Sequence, residues 1–138
     1  MSGLLSLIAR VMIAAIFLGS GVEKAMNAKK TIETMAGVGI PYPNLLYFGA
    51  LAFLFVGGVL VVLGLFTRLG ALLLMVFLAM ATYYFHPAWK DPSQQIAFMK
   101  NAAIFGGLLM LFANGPGGWS VTGRRLVRER VVVKKSDG

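Results

Sequence analysis

The chain has no cysteine and a single histidine, His86, among its 138 residues. The lack of cysteine excludes disulfides, thiol redox relays, iron–sulfur clusters and c-type haem, because each of these needs a thiol or thiolate. A haem held by two histidines of one chain is excluded as well. The sequence also carries no phosphate-binding glycine loop, dinucleotide fingerprint, zinc motif or serine–histidine–aspartate set. We therefore expect no metal site and no self-contained catalytic motif.

Charged residues are scarce for a chain of this length. They make up 13% of it, while 58% of its residues are apolar and the mean hydropathy is +0.78. A soluble domain has about 25% charged residues. A soluble core of this size could not bury so much hydrocarbon, so the composition predicts a protein whose solvent is the lipid bilayer.

Four apolar stretches, at residues 4–21, 45–66, 69–85 and 96–113, have about the length that a helix needs to cross roughly 30 Å of hydrocarbon. They lack the alternation of barrel strands. The sequence therefore predicts an all-α integral membrane protein, a four-helix transmembrane bundle over residues 1–118, followed by a flexible basic tail at 119–138. A short interfacial helix is predicted at Ala28–Ala36, between the first two spans. Paired glycines, Gly57 with Gly58 and Gly106 with Gly107, predict close helix packing.

The net charge of +8 is concentrated near the C-terminus. The tail holds six basic residues: Arg124, Arg125, Arg128, Arg130, Lys134 and Lys135. An even number of spans brings both termini to one side, and the excess of basic residues predicts that this side is the cytoplasm. No module for nucleic-acid binding accompanies the charge, so the lipid bilayer is the expected partner.

Ionisable groups near the spans are the candidate functional residues, since each is costly in lipid unless it is paired. The predicted topology brings seven side chains to the outer end of the bundle: Glu23, Lys24, Tyr83, Tyr84, His86, Lys100 and Asn101. Together they could bind a quinone carbonyl or a small anion, with the histidine passing a proton. In the alternative interpretation the lysines extend to lipid headgroups, the glutamate pairs with one of them, and the histidine caps a helix.

Two arginines lie near the opposite end. Arg68 falls at the predicted turn between the second and third spans, where we expect it to bind lipid phosphate. Arg10 lies about two turns inside the first span. It could extend to the headgroups, the favoured interpretation, or face the bundle and meet a polar partner.

The order and spacing of several short motifs resemble the DoxX family of small bacterial four-helix membrane proteins, over about Leu4–Trp119. The motifs are Arg10 with Phe17–Gly21 and Lys24, the Gly39–Pro41 turn, Gly57–Gly58 leading into Leu63–Arg68, His86, and Phe98–Asn101 before Gly106–Gly107. The resemblance implies a four-helix fold in the bacterial plasma membrane. It also marks Arg10, Lys24, Arg68, His86 and Lys100 as positions of interest. Many relatives carry a glutamate in the second span, where this chain has Leu54.

The resemblance implies function less sharply than fold. The family name traces to a subunit of a thiosulfate:quinone oxidoreductase, and relatives are linked to oxidative or thiol-stress complexes and to quinone detoxification. The leading hypothesis is a redox-associated accessory subunit of a membrane complex, with quinone as its ligand and a protein partner or homo-oligomer around it. The alternatives are a non-catalytic scaffold that recruits a partner through the tail, and a small-solute or lipid carrier.

Overall fold

A computed structural model describes residues 2–85 and 90–117, which form helices joined by short turns. The helices are α1 (Ser2–Met26), α2 (Ala28–Gly37), α3 (Pro43–Leu63), α4 (Thr67–Phe85) and α5 (Gln95–Asn114), with a 3-10 turn at Pro92–Gln94 before α5. Four of them, all but α2, are long and apolar enough to cross a membrane. The predicted all-α membrane bundle is confirmed. The predicted tail at 119–138 lies outside the described residues.

The helices pack in the order α1, α3, α4, α5, each antiparallel to the next, and contacts between α1 and α5 are sparse. The transmembrane helices thus form an arc rather than a closed ring. We call its two ends the α2 end, where α2 lies, and the hairpin end, where α3 turns into α4. The core of the arc contains Ala14, Phe17, Leu54, Leu74 and Leu108.

The helix predicted between the first two spans is confirmed as α2, and it extends one residue beyond its predicted end, to Gly37. It packs its apolar side onto the start of α3. Met35 of α2, Ile40 of the following turn and Tyr47 of α3 form a buried cluster, with Tyr84 of α4 against it. This cluster fixes α2 across one end of the bundle.

The turn between α3 and α4 lies at residues 64–66, and not at Thr67 and Arg68 as predicted, because Thr67 already begins α4. Gly64 ends α3 with a φ of 70°, a left-handed conformation that favours glycine, and its N–H donates to the carbonyl of Leu60. Hydropathy misses this turn because Leu65 and Phe66 continue the apolar run.

Close packing at Gly57 and Gly58 matches the prediction. A Cβ on Gly57 would lie 3.1 Å from the carbonyl oxygen of Gly70 in α4, and one on Gly58 would lie 2.6 Å from Leu18 in α1. Gly107 approaches α1 more loosely. For Gly106, no atom of another helix in the described part of the chain lies within 4 Å of a Cβ position, so its predicted role in packing is wrong within these residues.

Candidate functional site

A cavity of about 650 Å³ lies at the α2 end, between α1, α3, α4 and α5 and beneath α2. Its deep walls are apolar and partly aromatic, formed by Ile16, Phe17, Phe53, Phe77, Leu78 and Ile104. Its rim is polar, formed by Glu23, Lys24, Asn27, Lys30, Thr31 and Thr34. This division suits a ligand with an apolar body and a polar head, since buried polar groups need hydrogen-bond partners and apolar groups do not.

Lys24 is the partly buried cation of the rim. Its Nζ donates a hydrogen bond of 2.8 Å to the Oγ of Ser20, one turn earlier on α1, and both residues line the cavity. The backbone beneath Lys24 is also held, because the hydroxyl of Tyr47 donates to its carbonyl oxygen at 2.8 Å. An ammonium group has three N–H donors, and the described residues engage one of them, which leaves two for a ligand or water. Lys24 is thereby a positioned donor at the boundary between rim and wall.

Asn101 enters the cavity from the first turns of α5. Its Nδ2 donates to the Oγ1 of Thr82 at 3.0 Å, and that hydroxyl donates in turn to the carbonyl of Leu78 at 2.7 Å. This chain of hydrogen bonds ties α5 to α4 and orients the amide. Among the described residues, nothing donates to the Asn101 side-chain oxygen, which leaves it as an acceptor for a ligand.

The predicted outer cluster is only partly brought together. Glu23, Lys24 and Asn101 line the cavity, whereas Lys100 and Tyr83 are exposed and do not. Tyr84 lines it, with its ring in edge contact with that of Tyr83 at 5.1 Å between centroids. On α5, Lys100 lies about 100° around the helix axis from Asn101 and is exposed, on a side of the helix that does not line the cavity.

His86 lies outside the described residues. The residue before it, Phe85, ends α4 and lines the cavity. A role for His86 therefore stays a prediction.

The two predicted arginines lie at the hairpin end, away from the cavity. Arg10 is 1% exposed, and its Nη1 donates to the carbonyls of Val61 and Val62 at 3.1 and 2.7 Å. The favoured interpretation, that Arg10 extends to the headgroups, is wrong, because its guanidinium binds the end of α3. Arg68 is exposed and makes a longer bond of 3.4 Å to the carbonyl of Ala113 near the end of α5. Both act on helix C-termini, where a cation is favoured.

Several lining residues escaped the sequence reasoning. Ser20 could have been predicted from the sequence, since it precedes Lys24 by four residues and therefore lies on the same face of the helix. Thr31 and Thr34 could have been read from the polar positions of α2 beside Met35. The aromatic walls, Phe53 and Phe77, had no signal, because any apolar residue of a span is equally suited to lipid.

Three of the lining residues are charged, namely Glu23, Lys24 and Lys30. Within the described part of the chain, no group of three or more histidine, aspartate or glutamate side chains could hold a metal ion. Outside the spans, the N–H and hydroxyl of Ser93 both donate to Asp91, which lowers the pKa of that carboxyl below its usual range. That interaction caps the 3-10 turn before α5.

Comparison with known proteins gives a consistent family. The DoxX family model matches residues 5–87. Inner membrane protein YqjF of Escherichia coli (strain K12) is 31% identical over 120 residues, which cover 83% of this chain and 87% of the relative. Inner membrane protein YphA of the same organism is 33% identical over 125 residues, covering 87% and 89%.

A more distant match lies outside bacteria. The Surfeit locus protein 4 homolog of Drosophila melanogaster is 39% identical over 70 residues, which cover 46% of this chain and 26% of that protein. No solved structure matches the chain significantly. The family model spans more than half of the chain, and two relatives align over most of their length. The chain is therefore a membrane protein of the DoxX family.

Proposed function

We propose that this chain is a redox-associated accessory subunit of a membrane complex, and that its cavity binds the head group of a membrane quinone. The observation that carries the proposal is the combination of aromatic walls with the positioned ammonium of Lys24 in one cavity. A volume of about 650 Å³ is within the usual range for small-molecule sites. A quinone matches both surfaces, since its ring and tail are apolar and its carbonyls accept hydrogen bonds.

Lys24 and Asn101 have complementary roles in this proposal. A free N–H of Lys24 donates to a quinone carbonyl, and the positive charge stabilises the negative charge that develops on that oxygen during reduction. The Asn101 oxygen accepts a hydrogen bond from the hydroxyl of the reduced form. The rings of Phe53 and Phe77 contact the faces of the quinone ring.

The electrons come from outside the chain. With no cysteine and a single histidine, the sequence offers no ligand set of its own for an iron–sulfur cluster or a bis-histidine haem. A partner protein or a bound reductant must therefore reduce the quinone. His86, next to the cavity residue Phe85, is the proposed proton donor.

Location and orientation complete the proposal. The names of the two bacterial relatives give an inner membrane location. We place this chain in the same membrane, with both termini in the cytoplasm and the α2 end outside. The alternative role as a scaffold depends on the tail beyond residue 118, outside the described residues, and the cavity gives the quinone-linked role the stronger support.

Thermal unfolding of purified protein with a short-chain ubiquinone analogue tests the site. A ligand at 100 times its Kd stabilises a protein by about 2.7 kcal/mol. We expect Lys24→Met to weaken binding at least about tenfold, or about 1.4 kcal/mol, because the donor and its charge are removed. Lys29→Met, which removes an exposed lysine of α2 that does not line the cavity, is the matched control. Equal stabilisation of both variants and the wild type would refute Lys24 as the quinone donor.

A further inference from the structure

We infer that the cavity is filled from the hydrocarbon phase of the bilayer, through the sides of the bundle, so that its ligand is a membrane-dissolved molecule. The inference rests on the proposed function only in treating the cavity as a ligand site. The route itself follows from where the helices touch, which cavity residues are exposed, and what covers the water-facing end.

The first open side lies between α1 and α5. These helices meet toward the hairpin end, where a Cβ on Gly107 would lie 3.4 Å from Ile13 and one on Gly117 would lie 2.6 Å from Ser6. One turn further toward the α2 end, Ile16 lines the cavity and is 54% exposed. A wall residue that is also half exposed at the height of the bilayer marks an opening to lipid.

The second open side lies between α3 and α4. These helices are in close contact at Gly57 and Gly70, near their turn. Toward the α2 end they leave more room: among the described residues, no atom of another helix lies within 4 Å of a Cβ position on Gly49, and Met80 is 47% exposed. Both residues line the cavity. The hairpin is thus tight at one end and open to lipid at the other.

The water-facing end is partly covered and has a polar rim, which includes the exposed Glu23, Asn27 and Lys30. Helix α2 crosses it and is fixed by the buried side chains of Met35, Ile40 and Tyr47. The deep wall lies well below this cover. Phe77 precedes the last residue of α4 by eight positions, about 12 Å along the helix axis, which is within the depth of the acyl chains. A hydrophilic solute would gain nothing from that wall, whereas an apolar one would.

Fluorescence quenching of a single tryptophan distinguishes the two routes. The chain has two tryptophans, so Trp89→Phe with Trp119→Phe gives a silent background. The fluorescence of Phe77→Trp then reports on the wall of the cavity. It is measured in vesicles of ordinary phosphatidylcholine with iodide as a quencher in the water, and in vesicles of phosphatidylcholine whose brominated acyl chains quench from within the bilayer. Met110→Trp on α5, 67% exposed, is the lipid reference, and Tyr42→Trp before α3, 78% exposed, is the interface reference.

We expect brominated lipid to quench Phe77→Trp to an extent comparable with Met110→Trp, and iodide to quench it far less than Tyr42→Trp. Iodide quenching as strong as that of Tyr42→Trp, or no quenching by brominated lipid, would overturn the inference. Phe53→Trp, on the facing wall, repeats the measurement if the first variant does not fold. No quinone is present, so this result stands or fails separately from the thermal unfolding test.

Discussion

Arg10 and Arg68 both donate hydrogen bonds to backbone carbonyls near the C-terminal ends of helices, α3 and α5, at the hairpin end. The last carbonyls of a helix have no partners within it, and in hydrocarbon no water is available to supply them. Arg10 donates to two carbonyls in the last turn of α3 from a site that is 1% exposed. Arg68 reaches a carbonyl near the end of α5 from the exposed surface. The hydrogen bonds of the buried Arg10 should therefore contribute more to the free energy of unfolding than the bond of the exposed Arg68.

We expect Arg10→Met to lower the free energy of unfolding by about 1–3 kcal/mol, because the Val62 carbonyl loses its donor while the Val61 carbonyl keeps only the bond from the Gly64 N–H. Arg68→Met should stay within about 0.5 kcal/mol, as exposed substitutions do. Equilibrium unfolding in mixed detergent micelles measures both. If Arg10→Met were as stable as Arg68→Met, the guanidinium would not be holding the end of α3.

These residues also show what a single sequence can predict at this scale. The cost of a charge in lipid singled out Arg10 correctly. Its partners could not be foreseen, because they are backbone carbonyls, which every residue of α3 offers. Lys24 and Asn101 of the predicted outer cluster line the cavity, whereas Lys100, grouped with them by its depth, is exposed. The sequence could not give this difference, because packing with α4 sets the rotation of α5 about its own axis.

At the scale of elements, the contact between α3 and α4 depends on the absence of side chains. A Cβ on Gly57 would lie 2.9 Å from Cγ of Leu74 and 3.1 Å from the Gly70 carbonyl oxygen. The first neighbour is a side chain that could shift, but the second is backbone. Small residues let transmembrane helices approach in this way.

Gly57→Ala should therefore destabilise the protein by about 1–3 kcal/mol, the usual cost of overpacking. Gly106→Ala is the matched control on α5, where a Cβ meets nothing within 4 Å, and it should be neutral or slightly stabilising through its better helix propensity, by up to about 1 kcal/mol. Unfolding by sodium dodecyl sulfate, followed by circular dichroism, gives both values. A greater loss in Gly106→Ala than in Gly57→Ala would contradict the packing at the hairpin.

The number and approximate positions of the transmembrane helices were predictable, because the lipid bilayer imposes a length and a hydropathy on every span. The residues at which the helices end were harder to predict. Helix α1 continues to Met26, past the apolar run, because Glu23 and Lys24 end the hydrophobic stretch without ending the helix. The close of α3 was marked by the left-handed Gly64 and not by polarity.

At the scale of the molecule, the excess of basic residues in the tail predicts that both termini are cytoplasmic. The absence of native cysteine makes this measurable by labelling introduced thiols with a membrane-impermeant maleimide. Val38→Cys, at the exposed end of α2, should react in spheroplasts. Ser136→Cys, in the tail, should react only after lysis. The reverse pattern would invert the orientation, and with it the side on which the cavity rim lies.

Helix α5 has a single fully buried side chain, Leu108, while α3 and α4 each have several. Because most of its side chains are not buried against other helices, the sequence of α5 is constrained mainly by the need to be apolar, and less by shape complementarity. Many different apolar sequences would serve on its outward surface, whereas Asn101 and Leu108 would tolerate few replacements. Random mutagenesis of this chain should therefore find its freest positions within a span, at sites where a globular protein of the same size would be most restricted.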